Sequence, residues 1–138
     1  MTHEPIAIVG MAALFPKSPD LASYWANIVS GADCISEIPA DHSWSAEDYN
    51  DEDKSWEDRT WAERGGFLEK VPFDPVKWGI PPTQLESIDT SQLLGLMVAR
   101  EALRDAGLDP DQQGWDRSRT SCILGVTGTQ EMVVTAGA

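Results

Sequence analysis

Unbroken apolar runs lie near both ends of the chain. Ile6-Ala7-Ile8-Val9 is closed by Gly10, and Cys122-Ile123-Leu124-Gly125-Val126 forms a second run of the same kind. Short, continuous runs rich in β-branched residues are typical of strands that are buried on both faces of a parallel sheet. The pattern predicts two such strands, joined by a long right-handed crossover.

A first amphipathic helix is predicted over 21–30. Asp20 offers an N-cap and Gly31 a left-handed stop. The apolar stripe between them consists of Leu21, Tyr24, Trp25, Ile28 and Val29. This i, i+3, i+4, i+7, i+8 spacing predicts that one face of the helix, including Trp25, packs into the core.

Further helices are predicted from capping signals in the second half of the chain. One helical turn fits 74–78, and Gly65-Gly66-Phe67-Leu68 is predicted to be extended. Thr83 with Glu86 and Asp89 with Gln92 have the spacing of capping boxes, so they predict a short helix and then a longer one over 90–106. Apolar residues cover most of the circumference of the longer helix, which predicts that it is largely buried, and Gly107 ends it.

The predicted order is strand, helix, loop, helix, strand, which indicates the α/β class. Two parallel strands and a buried helix leave apolar faces and sheet edges uncovered. We therefore expect residues 1–138 to be the front portion of a larger domain, or a protein whose sheet is completed by a partner.

Acidic charge is concentrated in one segment. The 138 residues carry 23 acidic and 10 basic side chains, a net charge of −13. Residues 33–58 hold ten of the acids and one base, Lys54. Tryptophans and a tyrosine interrupt the acids, so we predict an irregular, partly packed loop over about 40–64. A calcium loop starting at Asp51 is excluded, because Trp56 and Ala62 stand where its glycine and final carboxylate are needed.

Charge and hydropathy also limit the partners. A net charge of −13 repels phosphate backbones and anionic lipid head groups, so we expect neither nucleic acid nor a membrane as partner. The apolar runs are far shorter than the ~20 residues that span a bilayer, and the start of the chain lacks the regions of a signal peptide. The expected location is the cytoplasm.

The residues by themselves form no catalytic constellation. His3 and His42 are the available imidazole bases, and no motif surrounds either of them. Cys34 and Cys122 are predicted to be small buried hydrophobes with inert thiols. Gly125-Val126-Thr127-Gly128 lacks the spacing and the lysine of a phosphate-binding loop, and is predicted to be a tight turn. We therefore assign no catalytic, cofactor-binding or metal-binding residue and no cofactor.

The chain nevertheless resembles a known family along nearly its whole length. The motifs are, in order, Glu4-Pro5-Ile6-Ala7-Ile8-Val9-Gly10-Met11-Ala12 with Phe15-Pro16, Tyr24-Trp25, Gly31-Ala32-Asp33, Ile38-Pro39, Gly65-Gly66-Phe67-Leu68, Phe73-Asp74-Pro75, Gly79-Ile80-Pro81-Pro82, Ile88-Asp89 with Gln92, Glu101-Ala102-Leu103-Arg104-Asp105-Ala106-Gly107-Leu108, and Gly125-Val126-Thr127-Gly128. In this order and spacing they resemble the opening of the β-ketoacyl synthase domain of type I polyketide and polyunsaturated fatty acid synthases. Ala13-Leu14 and Thr90-Ser91 depart from the pattern of that family.

The resemblance implies a thiolase-like fold with layers α-β-α-β-α that works as a homodimer, of which 1–138 would be the N-terminal portion. It implies decarboxylative Claisen condensation of acyl and malonyl-type thioesters, with an acyl carrier protein as partner. The nucleophilic cysteine motif and both histidine motifs of the family do not occur in 1–138, and neither Cys34 nor Cys122 matches that nucleophile. The alternatives are a non-catalytic interaction module that uses its acidic loop, and an unrelated small α/β binding domain.

Overall fold

The computed structural model describes residues 5–40, 64–112 and 114–126. The chain divides into two compact units. Unit 1 comprises Met1–Ala12 and Pro72–Ala138, and unit 2 comprises Ala13–Val71. Within the described ranges, no helix is both long and apolar enough to cross a membrane.

Unit 2 is built on helix α1, Leu21–Ser30. The Asp20 carboxylate accepts a hydrogen bond from the Ser23 backbone N–H at 2.7 Å, which satisfies a donor that the helix leaves free. Gly31 takes the left-handed conformation, φ 65°, and the Ala32 N–H returns to the Asn27 carbonyl. The predicted start and end of this helix are confirmed.

The predicted apolar stripe of α1 is not packed in a core. Trp25 is 66% exposed and Val29 69% exposed. A helical stripe is buried only where another apolar surface lies against it. The described residues of unit 2 supply such a surface to Tyr24, which stacks on Phe15 with ring centroids 4.4 Å apart, and leave Trp25 open.

A short antiparallel pair completes the described part of unit 2. Strand β1, Ser36–Glu37, pairs with β2, Arg64–Gly65, in the register Ser36 with Gly65 and Glu37 with Arg64. The extended piece predicted from Gly65 onward is therefore a strand only at its first residue. The acidic loop predicted over about 40–64 falls mainly on 41–63, which lie outside the described residues.

Unit 1 contains two 3₁₀ helices before its main helix. The first, Pro75–Trp78, is capped by Asp74, whose carboxylate accepts from the Val76 N–H, so the predicted helical turn is confirmed. The second is Pro82–Ser87. It begins at proline and has no side-chain cap, so the predicted cap at Thr83 is wrong. Proline fixes φ for a first helical position, which places the start one residue earlier than Thr83.

Helix α2, Thr90–Asp105, is the longest element. The Asp89 carboxylate accepts from the Ser91 N–H at 2.9 Å, which confirms the predicted N-cap. At the other end the Leu108 N–H bonds to the Leu103 carbonyl across Gly107, φ 73°, as predicted for a glycine stop. The prediction that α2 is largely buried is wrong, because none of its side chains is buried and Leu96 is 43% exposed.

The two predicted parallel strands are not paired among the described residues. Ile6–Val9 and Cys122–Val126 have no ladder partner among the described residues, and Ile6 and Ile123 are 97% and 91% exposed. A strand exists only with a hydrogen-bonded neighbour, and its apolar side chains are buried only under a covering layer. The described residues supply neither to these two segments. Among them no hydrophobic side chain is fully buried, and the two buried residues are Ser18 and Asp89.

Candidate functional site

The two cysteines are the candidate nucleophiles of the chain. Cys34 is half-buried and Cys122 is exposed, and both are free thiols. The prediction that Cys122 is buried is wrong, because no segment of the described residues covers it. His3 and His42 lie outside the described residues. No thiol of the described ranges therefore has an imidazole base placed beside it.

Within the described ranges, no three His, Cys, Asp or Glu side chains are placed to hold a metal ion. The segment from Asp51, considered above as a calcium loop, lies outside those ranges. The turn predicted at 125–128 is described only as far as Val126.

Unit 2 contains a shallow apolar concavity of about 260 Å³ beside α1. Its lining includes the Phe15–Tyr24 stack, Ile28, Cys34 and Ile35. Ser18 closes one side, and its hydroxyl accepts from the Asn27 amide at 2.9 Å and donates to the Pro16 carbonyl. The Ser18 hydroxyl and the Asn27 amide are thus engaged within the protein, so the concavity is a packing surface for apolar groups.

An ionic network lies beside the β1–β2 pair. The Arg64 guanidinium donates from one nitrogen to the Asp33 carboxylate and to the Ile35 carbonyl, both at 2.8 Å. Lys17 donates to the Asp33 carbonyl at 2.9 Å. The hydrogen bond from Arg64, followed by that from the Ile35 N–H, holds the pKa of the Asp33 carboxyl below its ordinary value. The Asp33 and Arg64 side chains are well exposed. Their ion pair therefore serves to orient the β1–β2 pair more than to stabilise the fold.

The N-terminal segment of unit 1 lies directly against the last turns of α2. A Cβ at Gly10 would stand 2.7 Å from the Ala106 nitrogen and 2.8 Å from the Ala106 Cβ, and closer still to the Ala102 carbonyl oxygen. The next residue, Met11, donates its backbone N–H to the Asp105 carboxylate at 2.9 Å. Glycine is required here because the two backbones touch.

Two arginines on the same half of α2 converge on one carboxylate. Arg100 and Arg104 both donate to Asp111, and Arg104 also donates to Glu101 at 2.8 Å. Asp109 stands 3.6 Å from Arg104. The hydrogen bond from Arg100 is the main cause that lowers the pKa of Asp111, and the bond to Glu101 raises the pKa of Arg104. Both shifts favour the charged forms of Asp111 and Arg104.

The Arg100 guanidinium lies against an aromatic ring, and that ring is part of a stack. Arg100 lies over the Trp78 ring, 4.9 Å from its centroid, and Trp78 stacks on Phe73. The Nε of Arg100 and the indole nitrogen of Trp115 are buried and have no hydrogen-bond partner among the described residues. Stacking on Trp78 favours the cation and compensates part of its desolvation. The arrangement holds the charges of Arg100 and Arg104 against Asp111.

Sequence reasoning missed Gly10, Asp105 and Asp111 as contact residues. The sequence pattern assigns Gly10 to the end of a strand, and its position directly after a β-branched run is the available signal for a close backbone approach. Asp111 follows the helix stop at Gly107 by four residues, but nothing in the sequence shows that the chain turns back onto Arg100.

The comparisons with known proteins agree with the motif order. The family model of the β-ketoacyl synthase N-terminal domain matches residues 3–137. The chain belongs to the β-ketoacyl synthase family. Polyketide synthase PksN of Bacillus subtilis is 42% identical to it over 105 residues, which cover 75% of this chain and 2% of that protein. A polyunsaturated fatty acid synthase polypeptide of a Thraustochytrium species is 33% identical over 126 residues, 91% of this chain and 4% of that protein.

Solved structures of the family show the same fold. The oxazolomycin ketosynthase domain OzmH KS7 of Streptomyces albus matches with a TM-score of 0.65 and 34% identity, over 71% of this chain and 17% of that one. The ketosynthase from module 6 of the bacillaene synthase of Bacillus subtilis gives 0.62 and 30%, over 73% and 16%. The predicted fold class is confirmed: the chain carries an incomplete part of a thiolase-like α/β fold. It spans a small fraction of each relative it matches.

Proposed function

We propose that this chain is the N-terminal portion, over 1–138, of a β-ketoacyl-[acyl carrier protein] synthase domain. The complete domain would catalyse decarboxylative Claisen condensation of acyl and malonyl-type thioesters in polyketide or fatty acid biosynthesis. The observation that carries the proposal is the match of the family model to residues 3–137. The similarity to synthases of both pathways supports the reaction class and leaves the product open.

The described residues fit a supporting role in that domain. Their thiols are free, and no described imidazole lies beside them. The polar groups beside the concavity, the Ser18 hydroxyl and the Asn27 amide, bond to each other. The two apolar segments, 6–9 and 122–126, have exposed side chains. We infer that the nucleophile and the histidines of the reaction come from chain beyond these residues, and that α1 and α2 form part of the scaffold. The partners we propose are an acyl carrier protein, the two thioester substrates and a second copy of the domain, in the cytoplasm.

The alternative of an interaction module rests on the acidic segment. Most of that segment lies in 41–63, outside the described residues, so no structural observation favours the alternative. It stays a prediction from charge.

The test is acyl loading and condensation by the full-length protein that carries this sequence. Acyl and malonyl groups are offered on an acyl carrier protein, and mass spectrometry follows the acyl-enzyme and the β-ketoacyl product. We expect both species. The double substitution Cys34→Ala and Cys122→Ala should leave acyl loading within about twofold, because neither thiol is the nucleophile in this proposal.

Two results would overturn the proposal. A full-length protein that forms no β-ketoacyl product with any acyl group tried would reject the reaction. Loss of the acyl-enzyme in the Cys34→Ala or Cys122→Ala single variant, with an unchanged circular dichroism spectrum, would place the nucleophile inside this chain and reject the supporting role.

A further inference from the structure

Both apolar segments of unit 1 are connected to the last turns of α2. Ile6–Val9 runs directly into Gly10 and Met11, which contact that part of the helix. Cys122–Val126 follows the connection 107–121, which leaves the C-terminal end of α2. Their apolar side chains are exposed, and no strand of the described residues pairs with them.

The first attachment is a contact between backbones. Gly10 leaves no room for a side chain against Ala102 and Ala106, and the Asp105 carboxylate holds the Met11 N–H. We call Gly10, Met11, Ala102, Asp105 and Ala106 the N-terminal anchor. Its contact is set mainly by shape, because close-packed backbone atoms cannot give way to an added methyl group.

The second attachment is ionic. Gly107 turns the chain at the end of α2, and the Leu108 N–H fixes the turn on the Leu103 carbonyl. Four residues after Gly107, Asp111 meets Arg100 and Arg104, which lie one turn apart on the same helix face. We call Arg100, Arg104 and Asp111 the arginine anchor. It shares no residue with the N-terminal anchor.

We propose that the last turns of α2 are a double anchor that positions two strand-forming segments independently. The N-terminal anchor fixes where segment 5–11 contacts α2. The arginine anchor fixes the start of the connection that leads from α2 to 122–126. Each segment can detach from α2 while the other stays attached. The helix therefore places both segments before any neighbouring strand is bound, which reduces the ordering that sheet formation requires.

The test is amide hydrogen exchange of the full chain, read by mass spectrometry on peptides that cover 5–12, 21–30 and 106–112. Gly10→Ala should raise exchange of the Met11 amide, whose hydrogen bond to Asp105 is described within 5–12, by about tenfold or more, since the added Cβ displaces the segment from Ala102 and Ala106. Gly95→Ala is the matched control, because a Cβ at Gly95 meets nothing within 4 Å. It should leave the exchange of 5–12 unchanged.

The arginine anchor is tested in the same experiment. Asp111→Asn should raise exchange of 106–112 by about threefold to tenfold, and 1 M salt should do the same to the unsubstituted chain. Asp116→Asn is the control, because Asp116 caps the 3₁₀ helix Arg117–Arg119 and contacts neither arginine in the contacts described above. High salt should leave 5–12 unchanged, since its anchor is not an ion pair.

The helical circular dichroism signal, to which α2 contributes as the longest described helix, reports whether unit 1 of a variant is still folded, and exchange of 21–30 reports on α1 of unit 2. Unchanged exchange of 21–30 together with release of one segment alone supports the double anchor. Release of 5–12 and 106–112 by the same factor in either variant would show one cooperative unit and overturn the proposal. Unchanged exchange of 106–112 in Asp111→Asn and in high salt would overturn it as well.

Discussion

Single polar side chains and glycines set the ends of both α-helices. Asp20 and Asp89 accept backbone N–H groups in the first turns, and Gly31 and Gly107 adopt the left-handed conformation that lets the chain leave the helix. These interactions span at most a few residues. A local sequence pattern is therefore enough to predict them, and all four residues were predicted correctly.

The cap at Asp20 should make α1 sensitive to acid. Hydrogen bonds from Ser23 hold the pKa of Asp20 below its ordinary value. The stabilisation is therefore complete above the unfolded value, near pH 4, and is lost as the pH falls through the lowered pKa. Protection of amides 21–24, measured relative to their intrinsic exchange rates at each pH, should fall over that range. Asp20→Asn keeps an acceptor and should remove the acid dependence; a variant that retained it would contradict the assignment to Asp20.

The Asp33 carboxyl should respond to Arg64 more than to Lys17. The hydrogen bond from Arg64 is the main cause of its lowered pKa, and the field of Lys17 is a smaller one. Arg64→Gln should therefore raise the pKa of Asp33 toward its ordinary value, while Lys17→Gln moves it less. Carboxyl-carbon NMR titration of both variants measures this. Equal effects from the two substitutions would show that nearby positive charge, and not the hydrogen bond from Arg64, sets the pKa of Asp33.

At the scale of elements, helices were predicted better than strands. A helix makes its backbone hydrogen bonds within itself, so caps and spacing determine where α1 and α2 lie. A strand needs a neighbour that can be far away in the chain. The run Ile6–Val9 has the composition of a buried strand, but the described residues give it no partner, whereas only Gly65 of the short β1–β2 pair was predicted to be extended.

Two glycines on different elements should respond in opposite directions to alanine. Gly31→Ala places a Cβ at φ 65° and should destabilise unit 2 by about 1 kcal/mol. Gly95→Ala lies inside α2 with open space around its Cβ, and should stabilise the helix by about 0.5–1 kcal/mol. Urea unfolding followed by circular dichroism compares both with the parent chain. A stabilising Gly31→Ala would contradict the left-handed cap.

At the scale of the whole molecule, many apolar side chains are exposed, and this limits the stability that their burial gives. Ser18 and Asp89 are the buried residues of the described ranges, and both are polar. Strongly exposed apolar residues such as Ile6 and Ile123 therefore contribute little of the roughly 1.5–3 kcal/mol that full burial of a large side chain gives. Unit 1 is held together instead by the contact at Gly10, the charges around Asp111 and the stack of Phe73, Trp78 and Arg100.

The 138-residue chain should bind a hydrophobic dye and self-associate through its unpaired apolar segments. Ile8→Thr with Ile123→Thr should lower both signals by about twofold or more, because these residues lie on β-branched runs that are open to edge pairing. Val76→Thr is the control, since Val76 is 71% exposed but lies in a 3₁₀ helix. Light scattering and dye fluorescence are the measurements. An equal drop in the control would assign the effect to general hydrophobicity.

The sequence by itself determined the family, the α/β class and the ends of both α-helices. The motif order predicted the β-ketoacyl synthase family, which the family model confirms over 3–137. Asp20, Asp89, Gly31 and Gly107 act within one or two helical turns, so neighbouring residues contain all the information that their role requires.

Only the tertiary structure decided which apolar residues are covered and what fixes the two terminal segments. Burial of Trp25, Leu96 or Ile123 depends on surfaces far away in the chain, which periodicity does not report. The contact of Gly10 with Ala102 and Ala106, and that of Asp111 with Arg100, join residues whose spacing obeys no local rule. Those contacts arise when backbones and charges meet in space, and for that reason no pattern of neighbours predicts them.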